Sequence, residues 1–166
     1  MIEEIEDNKV FEAIQLMKKY VDDNGEFFGY DYNEAIWIKF FLNIVEQQKK
    51  DPNYLAIGHY TDGVLTGFLT ASTFQNYYNN QWVMDVKDCI VDLENKNNSF
   101  IVFKLFDYMI EYIKEHNGKH WRADSVRGQE EALRYGKLLE KRYNAKVHTS
   151  IRGIIGENNV DNKEKE

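Results

Sequence analysis

Cysteine, proline and long apolar runs are nearly absent from this 166-residue sequence, and each absence excludes a class of structure. Cys89 is the only cysteine, so no disulfide can form within the chain. Pro52 is the only proline, and no glycine- or serine-rich linker interrupts the sequence. No apolar run approaches the roughly 18 residues that a membrane helix needs, and the acidic start lacks the apolar core of a secretory signal. We therefore expect a single domain over 1–155 in the cytoplasm, with no membrane partner.

Excess positive charge is also lacking, since the formal net charge is −7. A surface that follows nucleic-acid phosphates needs a basic stripe, and the sequence has none, so a nucleic-acid partner is not expected. Lysine and arginine do gather in the last third, between 119 and 152. This cluster is either a solvated helix face or a patch for an anionic ligand. The four histidines have no metal-ligand spacing, so no metal site is expected.

The hydrophobic periodicity alternates between helical and strand patterns along the chain. Asp62-Gly63 is a strong hairpin signal because its turn requires positive φ. The pattern predicts a mixed α+β sheet covered by helices. The predicted helices are 8–21, 33–48, 100–116 and 129–143, the predicted strands are 54–60, 64–74, 82–93, 120–126 and 147–155, and the polar tail 156–166 is predicted to be disordered.

Four segments, in this order, resemble the GNAT acyltransferase superfamily over roughly residues 8–155. They are DGVLTGF at 62–68, IVDL at 90–93, LFDYMIEYIKE at 105–115 and EALRYGKLLEK at 131–141. The resemblance implies an α/β fold with a central, mostly antiparallel sheet flanked by helices. It also implies acetyl transfer from acetyl-CoA to an amine, either a small molecule or a protein amino group.

The resemblance places the donor at the end of the central strand and at the start of the next helix. The implied donor-binding residues are Ile90, Val91, Asp92, Asn97, Asn98, Ser99, Phe100, Ile101 and Val102.

The donor loop itself departs from the family pattern, Arg/Gln-x-x-Gly-x-Gly/Ala. The segment here is ENKNNSFIV at 94–102, and Phe100 and Val102, or Ser99 and Ile101, occupy the glycine positions. Glycine lets backbone amides touch a pyrophosphate without an intervening Cβ. Two interpretations stay open: a degenerate donor loop, or a segment whose polar residues only cap the following helix.

Asp88 is the first candidate for a general base, because it interrupts the apolar alternation of the central strand. A carboxylate among apolar neighbours costs free energy unless it is paired or exposed. Simple alternation places Asp85 on the opposite face, so only one of the two can face a cleft. Asp124, on the next predicted strand, is a further candidate. By the resemblance, Tyr135 is the candidate acid for the leaving thiolate, although the family spacing falls one residue later, at Gly136.

A protein of this fold without catalytic activity is the alternative. The missing glycines favour it, as do the aromatic segments 26–32 and 74–78, because aromatic residues are favoured at interfaces. The composition also resembles that of a protein from an AT-rich phage. In that case the chain is a virion, assembly or host-takeover component, and homo-oligomers or contacts with virion proteins are expected.

Overall fold

A computed structural model describes residues 1–24, 32–76, 79–92, 94–124 and 129–146, with the side chains at 23–24 and 129–135 left out of the description. The strands are β1 (Ile2–Glu4), β2 (Tyr54–Thr61), β3 (Val64–Gln75), β4 (Trp82–Val91) and β5 (His120–Ala123). The helices are α1 (Val10–Asn24), α2 (Glu34–Gln48), α3 (Asn98–Glu115) and α4 (Gln129–Tyr143).

These elements confirm the predicted helices and the predicted strands up to β5. The short strand β1 was not predicted, since three residues carry too little periodicity. The predicted strand 147–155 and the tail 156–166 lie outside the described residues.

The sheet has the order β1-β2-β3-β4-β5 within the described part of the chain. All neighbours are antiparallel except β4 and β5, which are parallel, so the expected mixed and mostly antiparallel sheet is confirmed. Asp62 and Gly63 close the β2–β3 hairpin with φ angles of 52° and 80°. Both values lie in the left-handed region that such a turn requires.

The two faces of the sheet have different covers. Helices α1 and α2 pack on one face, where Phe41 and Phe68 are fully buried with ring centroids 5.6 Å apart. Helix α3 packs on the other face, through the buried Ile101, Leu105 and Met109. This broad apolar surface of α3 explains its strongly apolar sequence, because a helix that lies flat on a sheet buries more than one narrow stripe.

The chain divides into two compact units, Met1–Arg127 and Gly128–Glu166. The first contains the five described strands and helices α1 to α3. The second contains α4, whose last turn carries Lys141 and Arg142, positive charges that suit a helix C-terminus. No helix of the described residues is long and apolar enough to span a membrane.

Candidate functional site

Strand β4 contains a β-bulge in its middle. Thr70 of β3 pairs with Asp88, but the next residue, Ala71, pairs with Val86. Lys87 is therefore an extra residue on β4, which locally bends and twists the strand.

The bulge places two acidic side chains on the same face of the sheet. Asp85 pairs with Ser72 and Asp88 pairs with Thr70, and residues 70 and 72 share one face of β3. The prediction that Asp85 and Asp88 face opposite ways is wrong, because the extra residue reverses the alternation. Both carboxylates lie on the face of the sheet that carries the buried Ile90 and that α1 and α2 cover.

The parallel pairing of β4 and β5 ends just before this bulge. Its last pair is Val86 with Ala123, whereas β4 continues to Val91 along β3. In the part of the chain that the structure describes, the segment 87–91 has no partner strand on the side of β5.

Asp88 lies in a half-buried polar pocket at the start of this segment. Thr70 Oγ1 donates to Asp88 Oδ2 at 2.7 Å, and Trp37 Nε1 donates to Oδ1 at 3.3 Å. Burial raises the pKa of the Asp88 carboxyl, and these two hydrogen bonds oppose the rise without cancelling it. Burial, with the charges of Glu34 and Asp88, also raises the pKa of Tyr32 to about 12.

Asp85 differs from Asp88 in being held as a carboxylate by ion pairs, although it is only 6% exposed. Arg122 of β5 binds it through two nitrogens, Nε to Oδ1 at 2.8 Å and a terminal nitrogen to Oδ2 at 3.0 Å, and Lys87 also donates to it. Burial alone would raise the pKa of Asp85, but the hydrogen bonds from Arg122 and Lys87 hold it below its ordinary value. Asp85 is thus an ion-pair partner, and Asp88 is the carboxyl suited to exchange a proton.

The end of β4 leads directly into the predicted donor loop. Val91 is buried, and the Asp92 amide still donates to the Thr66 carbonyl at 3.0 Å. The Asp92 and Glu94 carboxylates both contact Lys19 Nζ of α1, at 3.1 and 2.9 Å. Lys19 therefore offsets the negative charge of this loop.

The first turn of α3 has two available amides. Asn97 is the N-cap residue, but its side chain makes no capping hydrogen bond. Asn95 accepts the hydrogen bonds that precede this turn. Its side chain accepts from the Asn97 amide at 2.9 Å, and its carbonyl accepts from the Asn98 amide at 3.0 Å. No acceptor among the described residues lies at the amides of Ser99 and Phe100.

The side chains in the expected glycine positions point in different directions. Phe100 is 58% exposed and lines a groove beside the β2–β3 turn, on the side of β4 away from β5. Ile101 is buried against β3, where a Cβ at Gly67 would lie only 2.8 Å from Ile101 Cγ2. Val102 is half-buried. Phe100, the bulkiest of the three, therefore lies toward the β2–β3 turn and not toward β5.

Sequence reasoning missed three residues that define this site. Thr70 and Trp37 hold Asp88, and Arg122 holds Asp85. Thr70 carries no distinguishing signal in the sequence, because β3 contains three other hydroxyl residues, Thr66, Ser72 and Thr73. Tyr135 lies in α4, but its side chain is outside the described residues, so its role stays a prediction.

The structure matches solved acetyltransferases along almost its whole length. It matches the ribosomal-protein-alanine N-acetyltransferase from Brucella melitensis biovar Abortus 2308 with a TM-score of 0.64 and 17% identity, covering 94% of this chain and 99% of that one. The fold is that of the GNAT acetyltransferases. The predicted fold is thus confirmed.

Two further GNAT-fold structures extend this comparison. An aminoglycoside acetyltransferase from an uncultured soil metagenomic sample has a TM-score of 0.64 and 15% identity, covering 93% of this chain and 94% of that one. A predicted acetyltransferase with acetyl-CoA from Clostridium acetobutylicum has a TM-score of 0.66 and 10% identity, with the same coverages. No protein-family model and no curated protein matches the sequence.

Proposed function

We propose that this chain is an N-acyltransferase that transfers an acetyl group from acetyl-CoA to an amine, using a donor loop without glycine. The supporting observation is the β-bulge at Lys87, which lies just after the last described pair between β4 and β5. The Asp88 carboxyl follows this bulge, and the first turn of α3 lies beyond the end of β4. Similarity at 10–17% identity supports this activity only by association, so the argument depends on the site.

The start of α3 suits the anionic part of the donor. The amides of Ser99 and Phe100 are available, and a helix N-terminus adds about 0.3–2 kcal/mol of attraction for an anion. The Phe100 ring lies toward the groove by the hairpin, and Lys19 offsets the charges of Asp92 and Glu94. These residues fit a pyrophosphate even though the loop lacks glycine.

Asp88 suits the proton transfer that acylation of an amine requires. Bound acetyl-CoA supplies a thioester carbonyl that an uncharged amine can attack. Trp37 and Thr70 each hold one carboxylate oxygen and so fix the orientation of Asp88. Its raised pKa brings the carboxyl closer to the working pH, which favours a general base. Tyr135 is the proposed donor of a proton to the leaving thiolate.

The binding step is testable with acetyl-CoA and thermal unfolding. Ligand at about 100 times its dissociation constant should stabilise the fold by about 2.7 kcal/mol. Ser99→Pro deletes one of the two available amides at a position where proline is tolerated, and should weaken binding. Ser99→Ala keeps that amide and is the matched control. The absence of any shift at millimolar acetyl-CoA would remove the donor proposal.

The acceptor step is testable by mass spectrometry of amines incubated with the protein and acetyl-CoA. The rate should rise with pH, because only the uncharged amine and the ionised base react. A flat profile between about pH 6 and 9 would argue against this chemistry.

A second candidate is a binding or assembly protein of the same fold without catalytic activity, for example in a phage particle. The observation that favours it is the loop itself, which has no glycine and carries Asp92 and Glu94 where phosphates would bind. Failure to bind acetyl-CoA would favour this candidate.

A further inference from the structure

A groove of about 730 Å³ lies between the start of α3 and the β2–β3 turn. Asn97, Phe100 and Lys104 of α3 line one side, and His59 and Asp62 line the other. Small-molecule sites commonly have volumes of about 300–1,000 Å³. The groove lies on the side of β4 away from β5, and it shares Asn97 and Phe100 with the proposed donor segment.

His59 presents a hydrogen-bond acceptor to this groove. The residue is only 6% exposed, and its Nδ1 lies 2.8 Å from Thr66 Oγ1. The Thr66 hydroxyl is also placed to donate its proton to the His59 carbonyl at 3.1 Å, and in that arrangement Nδ1 donates to Oγ1. Nε2 then carries a lone pair, and no described residue supplies it with a donor.

The α3 side of the groove adds an apolar wall and a positive charge. Phe100 is 58% exposed, and Lys104 Nζ lies 4.6 Å from the centre of its ring. No described carboxylate forms an ion pair with Lys104. Burial, together with the charges of the amino terminus and Lys104, lowers the pKa of His59, which favours the neutral ring at neutral pH.

We propose that this groove binds a small hydroxyaryl carboxylate. The hydroxyl donates to His59 Nε2, the aromatic ring packs on Phe100, and the carboxylate pairs with Lys104. This site adjoins the proposed donor site, because Phe100 contributes its ring here and its backbone amide there, but none of its three contacts involves Asp88 or residues 87–91.

The probe is 4-hydroxybenzoate, titrated into the full chain and followed by amide and histidine side-chain NMR shifts. Benzoate lacks the hydroxyl, and 4-hydroxybenzyl alcohol lacks the charge. We expect saturable shifts at His59, Phe100 and Lys104, and binding of both analogues that is about fivefold weaker or more, as expected for the loss of one polar contact.

Three variants assign the contacts. His59→Asn retains a nitrogen donor for Thr66 but removes the Nε2 acceptor, so it should bind 4-hydroxybenzoate no better than benzoate. Lys104→Gln should remove the preference for 4-hydroxybenzoate over the alcohol. Asp62→Asn, which tolerates the left-handed turn at φ 52°, should leave binding unchanged or tighten it.

Several outcomes would overturn the proposal: no saturation within the solubility of the probe, equal affinity for the three compounds, or shifts centred on 87–91. Weaker binding by Asp62→Asn would also overturn it, because the groove would then prefer cations. If His59→Asn does not fold, the comparison of the three compounds with the unmodified protein decides the question.

Discussion

Asp88→Asn separates the chemical role of this carboxyl from its structural role. The amide has nearly the same shape, so it can still bond to Trp37 and Thr70, but it cannot accept a proton. If Asp88 is the general base, acyl transfer should fall by about 10²–10⁴-fold. At about 1.36 kcal/mol per factor of ten, this is an increase of about 2.7–5.4 kcal/mol in the barrier.

The same substitution should stabilise the fold at neutral pH. Because burial raises the pKa of Asp88, the folded state holds the proton more tightly than the unfolded chain does. Stability is therefore complete below the ordinary value of 3.8 and declines as pH rises through the folded-state value. Asparagine has no such decline, so the variant should be the more stable protein at neutral pH, and its advantage should disappear in acid.

Asp85→Asn is the matched control on the same face of β4. The pKa of Asp85 is lowered, so its stabilising contribution is present above the ordinary value of 3.8 and is lost as pH falls through the folded value. This variant should destabilise the protein at neutral pH. Urea unfolding followed by circular dichroism measures the change in the free energy of unfolding for both variants, which should be opposite in sign. A coupled assay of thiol release measures the rate of acetyl transfer. Undiminished transfer by Asp88→Asn, with acetyl-CoA binding intact, would refute the role of Asp88 as the base.

Three further substitutions test the packing around the site. Tyr60→Phe removes a buried hydroxyl without a partner among the described residues, so the free energy of unfolding should rise by about 1–3 kcal/mol in urea titrations. Gly67→Ala should lower it by about 1–3 kcal/mol in the same assay, because the new Cβ would lie 2.8 Å from Ile101 Cγ2. Asn33→Ala should cost about 1 kcal/mol, seen as a lower melting temperature, because Asn33 Oδ1 accepts from the Ile36 amide at the start of α2.

Each of these has its own control. Tyr112→Phe removes a hydroxyl that donates to the Pro52 carbonyl at 3.1 Å, so it should destabilise where Tyr60→Phe stabilises. Burial also raises the pKa of Tyr60 from 10.0 to about 12, so the unfolded chain ionises at this residue before the folded protein does. The free energy of unfolding of the unmodified protein should therefore fall further over this pH range, and Tyr60→Phe should not show this fall. An unchanged stability of Gly67→Ala would contradict the close approach of α3 to β3. Asn33→Asp keeps an acceptor and should restore the cap.

Local sequence patterns were sufficient for the four described α-helices and for strands β2 to β5, but not for the three-residue strand β1. The apolar surface of α3 and the Asp62-Gly63 turn depend on neighbouring residues only, through the helical period and the backbone angles of a two-residue turn. The same kind of reasoning selected Asp88, because an acidic residue in an apolar strand requires a partner.

Only the tertiary structure determined what surrounds that carboxyl. Trp37 is 51 residues from Asp88 and Arg122 is 37 residues from Asp85, so neither contact has a local signature. The bulge at Lys87 arises from the register of β4 against β3, which no alternation pattern within β4 contains. Residue types along the chain thus determined that a carboxyl lies among the apolar residues of β4. Pairing between distant strands determined the face it occupies, because one extra residue reverses every side chain that follows.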